Sequence, residues 1–204
     1  MFDSFAGNGA NRLSNPFDAK AEKGLAETDQ RHRVTSSFLY ELPFLRSQKG
    51  VVGHVLGGWQ ANGVFTFETG MPFYVLQTLQ PVNDGCPRCN RRPDRIANGN
   101  LSGDQRSLSH WFDTAAFTLA VGHYGNSGRD ILTAPGLINL DFSLFKNFRF
   151  SEKKRVQFRW EMYNSTNTPA FSPPGATIGT GTFGQVTSTA SPNRQMQFGL
   201  RFEY

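Results

Sequence analysis

The residues whose types and spacing could do chemistry are two cysteines and four histidines. Cys86 and Cys89 form the sequence CPRC, a spacing found in half of a zinc site and in thioredoxin-type redox pairs. No second Cys or His pair follows at ligand spacing, and no βαβ pattern surrounds the motif. We therefore expect no metal and no cofactor here, and two alternatives stay open: a disulfide between Cys86 and Cys89, or two free thiols.

The histidines give no catalytic set. They occupy a predicted strand end, a turn and loops, and none stands in a G-x-S-x-G or H-E-x-x-H context that would supply a nucleophile or a metal-bound water. We therefore expect that the chain is not an enzyme and that His32, His54, His110 and His123 have no catalytic role.

The composition favours strands over helices. Among the 204 residues are 19 phenylalanines and 21 glycines, while long leucine-rich helical stretches are missing. No run of about 18 apolar residues is present, which excludes a transmembrane helix. A membrane strand needs only about 9–11 residues that alternate apolar and polar side chains. Because the amino terminus lacks the features of a signal peptide, an exported protein with this sequence is expected to be a fragment.

The net charge of +5 does not indicate a nucleic-acid partner. Lys and Arg residues are scattered along the chain, whereas a nucleic-acid surface would concentrate them. The only dense cluster is RCNRRPDR at 88–95, which we interpret as a solvated loop.

Alternation of apolar and polar residues predicts five strands, joined in sequential order into an open antiparallel sheet. The segments between them are rich in Asn, Asp, Gly, Pro and Ser, so 78–136 and 166–192 are predicted as long loops and 44–55 and 151–154 as short turns. The stretch HWFDTAAF could form a helical turn. The predicted strands lie near 31–43, 56–76, 137–150, 155–165 and 193–204.

Each of the last three strands has one apolar and one polar row. A soluble β-sandwich shows the same alternation, so the pattern alone leaves two all-β classes open. The aromatic residues Trp59, Phe150 and Tyr204 near the predicted strand ends resemble the girdles of a membrane band, and Lys146 is near enough to one rim to snorkel. We predict that the apolar row faces lipid: Ile138, Leu140, Phe142, Leu144, Phe148, Val156, Phe158, Trp160, Met162, Met196, Phe198, Leu200 and Phe202. We predict that the polar row faces a hydrated lumen: Asn139, Asp141, Ser143, Asn147, Arg149, Gln157, Arg159, Glu161, Gln195, Gln197 and Arg201.

The apolar rows of the two strands joined at 151–154 are expected on the same side of the sheet, and this restricts the register of the hairpin. Directly opposed residues must have numbers that add up to 304 or 306, with a three-residue loop in either case. We expect 306, because 304 would set Arg149 directly opposite Arg155, and like charges so placed repel each other.

Six stretches in a fixed order resemble a known family. They are DQRHRV, GGWQANGVFTFETGMPF, WFDTAAF, YGNSGRDILTAPGLINLDFSLFKNF, RVQFRWEMYNSTNTPAF and FGQVTSTASPNRQMQFGLRFEY. From about residue 27 to 204 the chain is similar to the C-terminal part of TonB-dependent outer-membrane receptors, specifically the Oar-like group of acidobacteria. The resemblance implies an antiparallel up-and-down transmembrane β-barrel, of which this chain supplies the last five or so strands. It also implies an assembly signal at Phe198, Leu200, Phe202 and Tyr204.

The function expected from this resemblance is uptake of a large or scarce ligand across the bacterial outer membrane. The implied partners are outer-membrane lipid and lipopolysaccharide, the barrel assembly machinery, the periplasmic energy-coupling protein TonB through a missing N-terminal part, and an unknown transported ligand; no nucleic acid is expected. An independent small barrel or adhesin and a soluble β-sandwich binding module are the alternatives.

The lengths of the connections predict an orientation. Because long loops of such barrels are extracellular and short turns periplasmic, 1–30, 78–136 and 166–192 are expected outside the cell. The predicted organisation is an extracellular loop or truncated start at 1–30, followed by a barrel segment at 31–204.

Overall fold

The computed structural model describes residues 14–15, 17–45, 47–79, 82–83, 91–151 and 154–204. Its helical elements are α1 (Gly50–Leu56) and two 3-10 helices, Ala19–Glu22 and Thr114–Ala116. In this described part, no helix has the length and apolar character needed to cross a membrane. The strands are β1 (Arg33–Glu41), β2 (Trp59–Glu68), β3 (Pro72–Phe73), β4 (Leu76–Gln77), β5 (Asp94–Arg95), β6 (Phe117–Thr118), β7 (Leu132–Thr133), β8 (Leu137–Arg149), β9 (Arg155–Tyr163), β10 (Thr177–Ile178) and β11 (Gln195–Glu203).

The five long strands form one open sheet in the order β1-β2-β8-β9-β11. Every neighbouring pair is antiparallel. The prediction of an all-β, open antiparallel sheet with five strands in sequential order is therefore confirmed. The second strand is shorter than predicted, because it begins at Trp59 after α1 and ends at Glu68.

The chain divides into two compact units that alternate along the sequence. The first, which we call the sheet unit, contains the five long strands and comprises His32–Glu68, Leu137–Ala170 and Ala190–Tyr204. The second, which we call the loop unit, comprises the described residues up to Arg31 together with Thr69–Gly136 and Phe171–Thr189.

The hairpin of β8 and β9 corrects the expected register. Phe142 lies opposite Met162 and Arg149 opposite Arg155, so the paired numbers add up to 304 rather than 306. The like-charge contact is tolerated because Glu203 of β11 lies on the other side of Arg155 and forms an ion pair with its guanidinium. Within the hairpin, the Phe150 amide donates to the Lys154 carbonyl at 3.0 Å, which leaves the three predicted loop residues between them.

The connection between β1 and β2 differs from the predicted turn, because it contains α1. This helix ends where the amide of Gly57 donates to the Gly53 carbonyl at 2.9 Å. The connection is fastened to β8 by Gln48, whose side-chain amide donates to the Asn147 carbonyl at 2.8 Å and accepts from the Arg149 amide at 3.1 Å. Gln48 thereby forms hydrogen bonds with the backbone of β8 beyond Lys146, where the pairing of β8 with β2 ends.

The loop unit has a hydrophobic core of its own. Phe112 is 2% exposed and packs edge-on against three other rings, with centroid distances of 5.7 Å to Phe73, 5.9 Å to Phe117 and 5.3 Å to Phe183. Val75 and Leu132 complete the buried cluster with Ala116. Three small two-stranded sheets surround it, pairing β3 with β7, β4 with β10, and β5 with β6. Segments that the sequence predicts as long irregular loops therefore pack around a common centre.

Candidate functional site

The candidate functional surface is the sheet, because its register sorts side chains into two chemically distinct faces. Residues directly opposite each other on antiparallel strands point to the same side. Trp160 lies opposite Leu144 on one side and Phe198 on the other, so the apolar rows of three strands coincide. The row continues onto β2, where Phe65 lies opposite Leu140. The structure thus brings all the residues predicted to face lipid onto one side of the sheet, which we call the apolar face.

Large side chains on the apolar face are exposed in this chain. Phe198 is 68% exposed, Leu200 78% and Phe202 59%. The ring of Phe198 stacks between those of Phe158 and Trp160, with centroids at 6.1 and 6.3 Å. An apolar surface of this extent is typical of a region covered by a partner or by lipid, since water alone would oppose its exposure.

The opposite face, which we call the polar face, carries all the residues predicted to line the lumen. Its side chains bind one another along and across strands: Arg159 pairs with Glu161 at 2.6 Å, and Gln157 donates to Asn147 at 2.9 Å. Gln197 of β11 reaches Glu161 as well. Apolar residues interrupt this face at Leu39, Val64 and Phe145, according to the pairing of their strands. The guanidinium of Arg159 lies 4.7 Å from the centre of the Phe145 ring. This cation–π contact covers Phe145 with a charged group.

Lys146 is a charged residue on the apolar face, opposite Trp59 and Phe158. It is only 2% exposed, and its ammonium donates to the Gly57 carbonyl while lying 5.4 Å from the centre of the Trp59 ring. The sequence predicts that this lysine reaches the rim. The structure shows instead that the β1–β2 connection supplies a carbonyl acceptor for the ammonium, which offsets part of the cost of burying its charge.

The lengths of the five long strands suit a bilayer. They contain 9, 10, 13, 9 and 9 residues in chain order. A tilted membrane strand needs about 9–11 residues. Each of the five is therefore long enough to cross the hydrocarbon region.

The loop unit contains a buried charge cluster that the sequence does not predict. Arg92 pairs with Glu22 at 2.8 Å, and Arg91, which is 1% exposed, donates to the Ser14 carbonyl at 2.6 Å. The interpretation of this arginine-rich stretch as a solvated loop is therefore wrong at Arg91 and Arg92. Their long side chains cross-link distant segments, which a short sequence window cannot reveal.

Asp130 lies in the same buried region of the loop unit. Burial raises the pKa of its carboxyl to about 6, although the guanidinium of Arg129, 3.3 Å away, acts in the opposite direction. One of its oxygens, Oδ1, has no hydrogen-bond partner in the described structure. Asp130 also has a φ of 53°, a left-handed conformation that aspartate and asparagine tolerate better than most residues. This carboxyl is therefore held at a cost, and it is the most perturbed acid of the loop unit.

The other residues considered for chemistry are not brought together. His123 binds Asp94 at 2.6 Å at the surface, and this hydrogen bond raises the pKa of the imidazole. Over the ranges that the structure describes, no group of three His, Cys, Asp or Glu side chains is placed to hold a metal. Cys86 and Cys89 lie outside the described residues.

Comparison with known proteins identifies the family of the sheet. Searches of the curated proteins and of the solved structures gave no match. A family model described as an outer membrane beta barrel domain matches residues 2–197, which is nearly the whole chain. This match agrees with the two-faced antiparallel sheet and with its exposed apolar residues. The chain therefore belongs to the outer membrane beta barrel domain family and is a protein of the bacterial outer membrane.

Proposed function

We propose that the chain is the C-terminal barrel segment of a TonB-dependent transporter of the Oar-like type, which takes up a large or scarce ligand. The observation that carries this proposal is the register of the sheet. It aligns apolar rows from neighbouring strands on one exposed face, while the other face is cross-linked by polar groups. The six ordered sequence stretches, which end in QFGLRFEY, favour this type of barrel over a small independent one.

In this proposal the apolar face contacts lipid and the polar face lines the lumen. Phe142 and Trp160 then lie in the hydrocarbon region, where their half-buried rings gain the burial that the chain alone does not give them. Asp141, Arg159 and Glu161 face water in the lumen, which accommodates charge. The ion pair between Arg159 and Glu161 supports this assignment, because paired charges of both signs suit a hydrated wall.

The loop unit is the proposed place of ligand capture. It is formed mainly by the two long connections of the sheet, and long connections of such barrels are extracellular. Its buried Phe112 and the pair of Arg92 with Glu22 support a fixed surface. A pre-organised surface loses less conformational entropy when a ligand binds, which favours capture of a scarce ligand.

The remaining partners follow from the same proposal. Energy would come from TonB acting on a plug outside this chain, and the last strand, ending in Phe202 and Tyr204, would be recognised by the barrel assembly machinery. Lipid and lipopolysaccharide would surround the barrel. We propose no enzymatic activity, no cofactor and no nucleic-acid partner.

The open reading frame around this sequence tests the transporter proposal. We expect an upstream signal peptide, a plug domain and further alternating strands. Deletion of the complete gene should also give the same growth defect as deletion of the energy-coupling protein when the ligand is scarce. A reading frame that encodes a small barrel without a plug would instead support the adhesin alternative.

Cysteine labelling of intact cells tests the orientation. Asn98 lies in a long connection and Ser151 in the short hairpin loop, and both are exposed. With Cys86 and Cys89 changed to serine, a membrane-impermeant maleimide should label Asn98→Cys and leave Ser151→Cys unlabelled until the cells are opened. Labelling of Ser151→Cys alone in intact cells would reverse the orientation.

A further inference from the structure

The β1–β2 connection forms an apolar groove at one rim of the sheet. The groove has a volume of about 530 Å³, and every residue that lines it is apolar. The connection contributes most of the wall, and the sheet contributes the floor through residues of β2 and β8. The lining residues are Leu42, Phe44, Leu45, Leu56, Trp59 and Leu144.

The groove is continuous with the apolar face. Trp59 lies opposite Lys146 and Ala61 lies opposite Leu144, which places both the tryptophan and Leu144 in the apolar row. An acyl chain that lies along this row would therefore reach the groove without crossing a polar surface.

The outer surface of α1 is apolar as well. Val51 is 81% exposed, Val52 63% and Val55 57%, and the polar residues Lys49 and His54 are exposed within 49–56. A short helix with exposed valines and a basic residue at its start is suited to the boundary between acyl chains and headgroups. In water alone, these exposed valines would be unfavourable.

Two contacts fix the connection against the sheet. The buried ammonium of Lys146 donates to the carbonyl of Gly57, directly after α1, where a positive charge is favourable. It also lies 5.1 Å from the centre of the Phe148 ring. Gln48, just before α1, holds the connection through the backbone of Asn147 and Arg149. The groove is therefore held open by the chain itself.

We propose that this groove binds one acyl chain of a phospholipid from the periplasmic leaflet, with α1 lying in the membrane interface. The inference rests on the proposed lipid-facing orientation of the apolar face. The short β1–β2 connection is expected on the periplasmic side, where the leaflet consists of phospholipid. Lys146 acts as a positioning residue, because it holds the end of α1 over the apolar row and hides its own charge from lipid.

Photolabelling of the intact protein tests this binding. The protein is folded into vesicles of phosphatidylethanolamine and phosphatidylglycerol that contain a trace of phosphatidylcholine with a diazirine in one acyl chain. After irradiation, labelled positions are mapped by mass spectrometry. We expect label on Leu45 and Leu56 in the groove, in addition to label on Phe198 and Leu200 of the apolar face.

A double variant distinguishes an acyl chain that is bound in the groove from lipid that only contacts the protein surface. Leu45→Gln with Leu56→Gln should reduce labelling of the lining residues that remain, Trp59 and Leu144, at least about tenfold, since burial of even one leucine changes a partition constant by that order. Labelling of Leu200 should not change. Leu39→Gln is the matched control, because Leu39 is 66% exposed on the polar face, and it should leave both signals unchanged. Heat-modifiable gel mobility verifies that each variant is folded.

The outcomes distinguish this inference from the orientation on which it rests. Label on Leu200 without label in the groove overturns the inference and leaves the orientation intact. Absence of label from both places overturns both. If the double variant does not reduce labelling of the groove, the inference is also overturned, because the acyl chain would then only touch the protein surface. Cross-linking of the groove to a second protein copy would show that protein, not lipid, occupies it.

Discussion

The sheet unit and the loop unit treat the same residue types in opposite ways. In the sheet unit Leu200 is 78% exposed and Phe198 68%, whereas in the loop unit Leu132 is 1% exposed and Phe112 2%. The loop unit thus buries a cluster of large apolar side chains within the chain, as a water-soluble domain does. The sheet unit exposes the apolar side chains of its apolar face, so its stability depends on what surrounds that face.

Charged side chains show the reverse arrangement. Arg91 and Arg92 of the loop unit are 1% and 2% exposed. In the sheet unit the side chains of Arg155 and Arg201 are 52% and 64% exposed and share Glu203. A buried charge must be paired to be tolerated, whereas an exposed pair contributes little to stability. In these examples buried charge cross-links segments of the loop unit, while on the polar face of the sheet exposed charge makes the surface wettable; Lys146, which is 2% exposed, is a buried charge in the sheet unit.

Truncation of a core ring should give the largest difference between the units. Phe112→Ala should destabilise the loop unit by about 3–5 kcal/mol, because it removes a buried ring and leaves a cavity. The matched change Leu200→Ala should cost less than about 1 kcal/mol, since an exposed side chain leaves no cavity. Hydrogen exchange of the intact protein, read separately for amides of each unit, measures both effects. Equal losses of protection would remove the distinction between the units.

The surroundings of the apolar face can be tested by adding charge. Trp160→Arg should cost about 2–4 kcal/mol if this position lies near the middle of a bilayer. Gln157→Arg adds the same charge to the polar face of the same strand and should fold nearly normally. Urea unfolding in vesicles, followed by heat-modifiable gel mobility, compares the two variants. Equal tolerance would show that the apolar face does not contact lipid.

The main elements of the sheet are predictable because alternation is a local signal. Five strands, their order and the two faces follow from runs such as QMQFGLRFE, in which each position repeats the same contrast. The preferred register of β8 and β9 was wrong, because it considered only the repulsion between Arg149 and Arg155. The compensating Glu203 comes from a third strand, 48 residues beyond Arg155.

The loop unit and α1 could not be predicted in the same way. The core of the loop unit draws Val75, Phe112 and Leu132 from separate segments, and its strands contain two residues each, too few to show a period. The α1 sequence GVVGHVL contains two glycines and β-branched residues, which are poor helix formers. Its contacts with the sheet through Lys146 and Trp59 depend on the folded structure.

The buried acid of the loop unit should give that unit its own pH dependence. Burial raises the pKa of Asp130 from its ordinary 3.8 to about 6, so the folded state holds a proton that the unfolded state has lost. Well above pH 6 folding is therefore opposed by about 3 kcal/mol, and this penalty disappears as the pH falls through about 6 towards 4. We expect the loop unit to become more stable between pH 7 and pH 5.

Asp130→Asn checks the assignment of this effect. The amide is close in shape, tolerates the left-handed backbone and cannot ionise, so the variant should be more stable at pH 7 and should lose the gain on acidification. Hydrogen exchange of loop-unit amides at pH 7 and pH 5, corrected for intrinsic rates, provides the measurement. An unchanged pH profile in the variant would assign the dependence to another group.

The smallest effect concerns glycines that are crowded in both units. A Cβ at Gly63 would overlap the ring of Phe38, which is the outer end of a side chain that is 49% exposed. This ring can turn away, and alanine is favoured over glycine within a strand by about 0.5–1 kcal/mol, so Gly63→Ala should be nearly neutral. In the loop unit a Cβ at Gly125 would meet the carbonyl oxygens of Arg92 and Pro93, which are backbone atoms and cannot move alone. Gly125→Ala should therefore cost about 1–3 kcal/mol, as other overpacked positions do. Hydrogen exchange of the two variants compares them directly, and a larger loss at Gly63 than at Gly125 would show that the exposed face of the sheet is as tightly packed as the loop-unit core.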